Sequence, residues 1–216
     1  MATTKRVGII GSGDVGKQLG RGFARHGYEV KIGTREPAKL DAWKKEVGAS
    51  ASVGSFADAA QFGDVVVLAT NGAAAESALD LAGPAHFSGK LVLDATNPLD
   101  MSHGMPPTLF VGTTDSLGER VQRKLPGAHV VKCFNTVGNG SMVDPKPAGI
   151  HPRMLICGND AGSKTRAEAI LRELGWAGAI DVGGIEGARW LEALVPLWVR
   201  AGIALNAWDH MFQVVR

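Results

Sequence analysis

Short runs of aliphatic and β-branched residues alternate with longer segments of helical spacing along most of the chain. The pattern predicts strands at residues 7–10, 29–32, 65–69, 91–94, 129–133, 154–157 and 179–182. The runs at 65 and 91 are apolar at successive positions, as in parallel strands covered on both faces. Helical spacing predicts helices at 15–25, 38–47, 73–81, 117–124 and 164–174, many of which close on glycine or a basic residue. Such alternation predicts an α/β fold on a doubly wound parallel sheet.

Three stretches break the rhythm. Residues 96–113 (TNPLDMSHGMPPTLFVGT) and 135–153 (NTVGNGSMVDPKPAGIHPR) are rich in Gly and Pro and have no clear period. Each follows a predicted strand, so both belong at the carboxyl edge of the sheet, where open α/β folds bind ligands. Residues 186–215 read as helix, with Pro196 forcing a kink or break. Most of that helix's circumference is apolar, and Trp190, Trp198 and Trp208 lie on it, so it needs burial on more than one side; it could cover its own domain, but a homodimer interface would bury it more completely and is the expectation. The domain expectation is a nucleotide-binding unit over 1–183 and a helical packing or dimerisation segment over 184–216.

Composition narrows the class. The 216 residues are 45% hydrophobic and 20% charged, with 29 glycines and a net charge of +2, which suits a soluble globular protein of one domain. A nearly balanced charge gives no basic stripe for nucleic acid. The N-terminal apolar run is too short for a secretory signal, and the segment from 190 to 208 is interrupted by Glu192, Pro196 and Arg200, so no membrane span is expected. Cys133 and Cys157 sit in strand-like runs and read as reduced core thiols of a cytoplasmic protein. Neither C-x-x-C nor H-E-x-x-H spacing occurs, so no metal site is expected.

Candidate chemistry begins at Gly11-Ser12-Gly13-Asp14-Val15-Gly16, a G-x-G-x-x-G string. Alone it is weak, but here it follows the strand VGII and opens a helix with Val15, Leu19 and Phe23 on one face. In this setting Gly11 permits a tight turn, Gly13 a close approach of backbone to a pyrophosphate, and Gly16 a close helix–strand contact. The dinucleotide-binding reading makes the fold Rossmann-type. At the end of the second strand an NAD enzyme usually carries Asp or Glu for the ribose 2′-hydroxyl. Thr34-Arg35 stands there instead, with Lys39 further on, and a guanidinium suits the 2′-phosphate of NADP(H). Glu36 keeps NAD as the rival.

Together with GSGDVG and IGTRE, the strings VVVLAT, LVLDATNPL, VVKCFNTVG, ICGND and DVGGIEGARWLEALVPL resemble the F420-dependent NADP oxidoreductase-like family. That family also includes the cytoplasmic oxidoreductase domains of the STEAP ferric reductases. The resemblance implies a Rossmann domain with a short helical C-terminal part, commonly a homodimer. It also implies NADP(H) across the carboxyl edge and a flavin-like or deazaflavin (F420) hydride acceptor. Carried over by position, Ser12, Thr34 and Arg35 match the phosphate-binding residues. Ala69, Thr70, Asn71, Thr96, Asn97 and Pro98 match those lining the ribose and nicotinamide. Asn135 and Thr136 match positions near the nicotinamide face. The Phe-Asn-Thr string at 134–136 is closer to the ferric-reductase branch than to the archaeal deazaflavin enzymes.

Two other functions remain open. A reductase of a small carbonyl or imine substrate needs a proton donor, for which His103, His151 and Lys132 are the candidates. The chain could also be a non-catalytic NADP(H)-binding regulatory protein, since it lacks the large helical substrate domain of hydroxyacid dehydrogenases.

Overall fold

The computed structural model describes residues 5–145 and 150–214. Strands β1 (Arg6–Ile10), β2 (Glu29–Gly33), β3 (Ala51–Gly54), β4 (Val65–Leu68) and β5 (Leu91–Asp94) alternate with helices α1 (Asp14–Arg25), α2 (Asp41–Val47), α3 (Phe56–Phe62) and α4 (Ala75–Ala82). A two-stranded hairpin follows, β6 (Leu99–Asp100) with β7 (Thr108–Leu109), then α5 (Leu117–Lys124) and β8 (His129–Lys132). The chain closes with β9 (Arg153–Gly158), α6 (Ala161–Glu173), β10 (Gly178–Asp181) and α7 (Ala188–Leu205).

Eight strands form one sheet in the order β10-β9-β8-β5-β4-β1-β2-β3. The pattern on β1 explains how it is covered. Val7 and Ile9 enter a core shared with Leu19, Phe23 and Ile170, whereas Ile10 enters the opposite core with Phe56, Leu79 and Leu191. A methyl group on Gly8 would collide with the Ala59 carbonyl, so α3 lies directly on β1.

The last two strands are reversed. β8 meets β9 antiparallel, and β9 meets β10 in parallel. A parallel connection requires a crossover, usually a helix. The segment between β8 and β9 contains only a short helical turn at Asn139–Ser141 among its described residues, so the chain re-enters from the edge at which it left. Residues 146–149 of the second expected loop lie outside the described residues.

Besides the β6–β7 hairpin, which falls in the first aperiodic stretch, β3 and α3 were absent from the sequence reading. β3 has the weak strand sequence ASVG and pairs only with β2. α3 is short and alanine-rich, yet it is opened by a capping box in which Ser55 and Asp58 bond each other's backbone N–H.

The expected helix over 186–215 is corrected in its extent, and no break occurs at Pro196. Pro196 lies inside α7 without ending it, and α7 ends at Leu205 with Asn206 in the left-handed region. The tail folds back instead, with Trp198 donating to the His210 carbonyl at 3.0 Å and stacking on its ring at 4.6 Å. Residue 215 lies outside the described residues. Among the described residues no helix is long and apolar enough to cross a membrane.

Cys133 and Cys157 are free and buried. Burial pushes the Cys157 thiol up to about 12 and Cys133 well above the ordinary thiol range.

Candidate functional site

The turn from β1 into α1 is held by glycines, but not all for the same reason. Gly11 has φ 121°, and a Cβ there would press on the Ala69 carbonyl. A Cβ on Gly16 would collide with the Gly11 carbonyl, so the helix can approach the strand only at glycine. Gly13 differs: it caps α1 in extended backbone (φ −72°), and a Cβ there would meet nothing within 4 Å. Protein packing therefore requires Gly11 and Gly16, and leaves Gly13 an open cradle at a helix N-terminus. Asp14 and Val15 form the first turn of α1 behind it, with Asp14 exposed.

This turn opens into a cleft of about 200 Å³. Gly11, Ser12, Gly13, Thr34, Arg35, Ala69, Thr70 and Asn71 line it, all predicted from the sequence. Thr34 is buried at the end of β2; its Oγ1 lies 2.9 Å from Ser12 Oγ and accepts from the Glu36 N–H. Arg35 is exposed, and among the described residues its guanidinium makes no ion pair. Lys39 stands outside the residues that line the cleft, with Glu36 2.7 Å from its ammonium. Asn71 is exposed and caps the start of the next helical turn, its side-chain oxygen accepting from the Ala73 N–H. Thr70 Oγ1 is buried and has no hydrogen-bond partner among the described residues.

Sequence reasoning missed the opposite wall. Ala74, Ser77, Ala78 and Leu81 line the cleft together with Phe56. Counted from Ala74, the residue that caps α4, they stand at i, i+3, i+4 and i+7, which is one helix face, a signal present in the sequence but readable there only as core.

The rest of the predicted residues gather at a second point of the carboxyl edge. Gly72 and the Asn97 carbonyl are so close that a Cβ on Gly72 would overlap it, which joins the loops after β4 and β5. Asn97 and Asn135 clasp each other: Asn97 Nδ2 donates to the Asn135 carbonyl at 2.9 Å, and Asn135 Nδ2 to Asn97 Oδ1 at 3.0 Å. Asn135 Nδ2 also donates to the Leu191 carbonyl at 3.1 Å, which leaves its buried Oδ1 without a donor. Phe134 precedes it at φ 64°, an uncommon conformation for a residue with an aromatic side chain. Thr136 and Pro98 are buried beside these groups in sequence. His151 stands apart, exposed ahead of β9, and His103 is exposed in the hairpin loop.

Lys132 has no contact with solvent. Its ammonium is fully buried, 2.8 Å from Asp94 Oδ2, 2.8 Å from Glu192 Oε1 and 2.8 Å from the Thr96 carbonyl oxygen, to which it donates. Burial opposes its charge, but the two carboxylates outweigh burial and hold its pKa above the ordinary lysine range. Asp94 Oδ1 accepts from both the N–H and the hydroxyl of Thr96. Glu192 accepts from the Leu117 and Gly118 N–H groups at the start of α5.

The chain as a whole is similar to several known proteins. The family model for coenzyme F420-dependent NADP oxidoreductases matches residues 6–98. A solved structure from Arthrobacter sp. FB24, provisionally designated an F420 dependent NADP-reductase, is 41% identical with a TM-score of 0.94. That alignment covers 99% of this chain and 100% of the other. The F420-dependent NADP reductase of Methanocaldococcus jannaschii is 29% identical and aligns over 92% of each chain. Metalloreductase STEAP3 of Rattus norvegicus is 26% identical over 89% of this chain, which spans only 38% of that protein. A reductive aminase from Aspergillus terreus is 19% identical at a TM-score of 0.67, over 94% of this chain and 63% of its own, and that likeness shows the fold alone.

Proposed function

The chain belongs to the F420-dependent NADP oxidoreductase-like family, and from that premise we propose that it passes hydride between NADP(H) and a flavin-like or deazaflavin ring, F420 foremost. It is on this reading an NADP(H)-dependent oxidoreductase. The residues fit the cofactor in two ways that packing does not explain: the open position at Gly13 and the partnerless, buried Thr70 hydroxyl. The Gly11–Gly16 turn and the N-terminus of α1 would hold the pyrophosphate. Ser12, Thr34 and Arg35 would hold the 2′-phosphate, and the Phe56, Ala78 and Leu81 wall would face the adenosine half. Thr96, Asn97, Pro98, Asn135 and Thr136 would border the nicotinamide. When bound, NADPH supplies the hydride and its two electrons.

One observation carries the choice of acceptor. At the Asn97–Asn135 end the titratable groups Lys132, Asp94 and Glu192 are buried and ion-paired with one another. A carbonyl or imine substrate needs a proton donor within hydrogen-bond reach of the reacting atom. Transfer between two rings needs contact, orientation and exclusion of water, and the proton that balances the reduced ring can come from water after the hydride has moved, so no side-chain donor is required. His103 and His151, the other candidate donors, are exposed on loops. Anaerobic oxidation of NADPH with F420, FMN, FAD, ferric chelate or a ketone–amine pair tests the reading. Turnover with F420 or a flavin supports it. Turnover with the carbonyl pair alone, lost on replacing His151, would favour the imine-reductase function. Tight NADPH binding with no acceptor would favour a regulatory protein.

The same reading includes a cytoplasmic homodimer, supported by the free buried thiols and by the outer face of α7. Trp190, Ala193, Leu197 and Ala204 are exposed on that face, with Arg200 its one charge. Trp190 is 63% and Leu197 54% exposed, at the three-and-four spacing along which two helices pack. Light scattering should give twice the chain mass, and Trp190→Glu with Leu197→Glu should give the monomer. A wild-type monomer contradicts the dimer and leaves the chemistry standing.

A further inference from the structure

We propose that the buried Lys132–Asp94–Glu192 triad is a positioning brace for the nicotinamide end of the site, acting through Thr96, Asn97 and Asn135 and touching no substrate itself. The inference rests on the cofactor reading given above.

Three elements meet at the Lys132 ammonium: the end of β5 through Asp94, the loop after it through the Thr96 carbonyl, and α7 through Glu192. Each carboxylate also holds a second piece of the edge. Asp94 bonds the Thr96 N–H and hydroxyl, and Glu192 bonds the first N–H groups of α5. One residue before Glu192, the Leu191 carbonyl takes the Asn135 amide, which in turn is clasped to Asn97. The network is therefore continuous from β5 to α7 and back to Asn135. The left-handed backbone of Phe134, immediately before Asn135, is a conformation that persists only where the surroundings over-determine it. Nothing in the triad reaches Ser12, Thr34 or Arg35, which Thr34 Oγ1 and the ends of β2 and β3 organise independently.

Replacing a buried ion triad by apolar groups is often tolerated by a fold. Three charges kept fully dry at a ligand-binding edge thus call for a purpose beyond stability. Their geometry supplies one: they fix loops whose backbone groups, unlike apolar packing, must be held in register.

Lys132→Met tests the brace, because Asp94 and Glu192 each retain their N–H partners. Two ligands separate the ends of the site: 2′,5′-ADP reports on the adenosine half, and NADPH on the whole. In the variant the dissociation constant for 2′,5′-ADP should stay within about threefold of wild type, while that for NADPH rises about tenfold or more. The fluorescence gain of bound NADPH and kcat with the acceptor should fall with it. Glu192→Gln, a gentler change that keeps one acceptor for α5, should shift the same way by a smaller factor and decides the matter should Lys132→Met fail to fold. Equal losses for both ligands, or a lowered Tm with both affinities unchanged, would overturn the brace and make the triad structural only. Failure of the wild-type protein to bind either ligand would instead remove the cofactor reading, and the brace with it.

Discussion

Replacing Gly13 by alanine separates what the fold asks of the glycine turn from what a ligand asks of it. At Gly13 the added methyl meets no atom within 4 Å, and φ is −72°, a value alanine adopts freely. Losing unfolded-state freedom should stabilise the variant by about 0.4–1 kcal/mol. Gly13 is also the N-cap of α1, where alanine is the poorer residue by a similar amount, roughly 0.5–1 kcal/mol. The two effects nearly cancel, so Tm without ligand should move by less than about 3 °C. At Gly16 the methyl meets the Gly11 carbonyl and lies 3.5 Å from Ile9 Cγ2. Overpacking of that kind costs about 1–3 kcal/mol, or roughly 2–10 °C in a chain of this size. The affinities should order differently. A methyl at Gly13 stands where a pyrophosphate would reach the α1 N–H groups, and losing one charge-assisted hydrogen bond of about 1.5–3 kcal/mol weakens NADPH by about tenfold to a hundredfold. Thermal melts without ligand and NADPH fluorescence titrations read the two quantities. Unchanged NADPH affinity in Gly13→Ala would refute the reasoning, and so would a loss of Tm equal to that of Gly16→Ala.

Other expectations follow from single contacts. Arg35→Ala should weaken NADPH about tenfold or more and NADH less than about twofold; equal losses would mean that the 2′-phosphate binds elsewhere. Asp115, held down to about 2 by the Arg123 guanidinium and by Arg120, should stabilise the fold above about pH 4 and lose that contribution as pH falls from 4 towards 2. The effect is about 1–2 kcal/mol after allowing for its partial exposure, so Asp115→Asn should match wild type in acid melts near pH 2 and be weaker at pH 7. Cys133 and Cys157 should be inert to a thiol reagent in the native protein at pH 8 and both react in denaturant, because burial raises each thiol far above that pH. A fast native reaction would mean that the edge around β8 and β9 opens readily.

Much of the fold was legible because its determinants are local. The glycine string, the continuous apolar runs of β4 and β5 and the facing residues of α1 each carry their own signal. β3 and α3 carry little of it: Ser52, Gly54 and alanine pack well here because Gly8 and Gly33 let α3 come close. Their readable trace is the Ser55–Asp58 capping box. The reversal of β9 was implied by the lack of a helix between 133 and 153, although strand composition says nothing about direction. The adenosine wall on α4 needed the cleft to tell binding face from core. The role of Lys132 was not legible at all, since its partners come from positions 94, 96 and 192 and meet only in three dimensions.

The destination of the hydride is the central question. NADPH carrying deuterium at the reduced nicotinamide carbon, mixed anaerobically with the protein and oxidised F420, provides the direct measurement. Loss of NADPH absorbance should match deazaflavin bleaching one for one, with deuterium recovered in the reduced deazaflavin and the rate slowed by the label. NADPH that binds in the cleft yet passes no deuterium to F420, FMN or FAD would contradict the account.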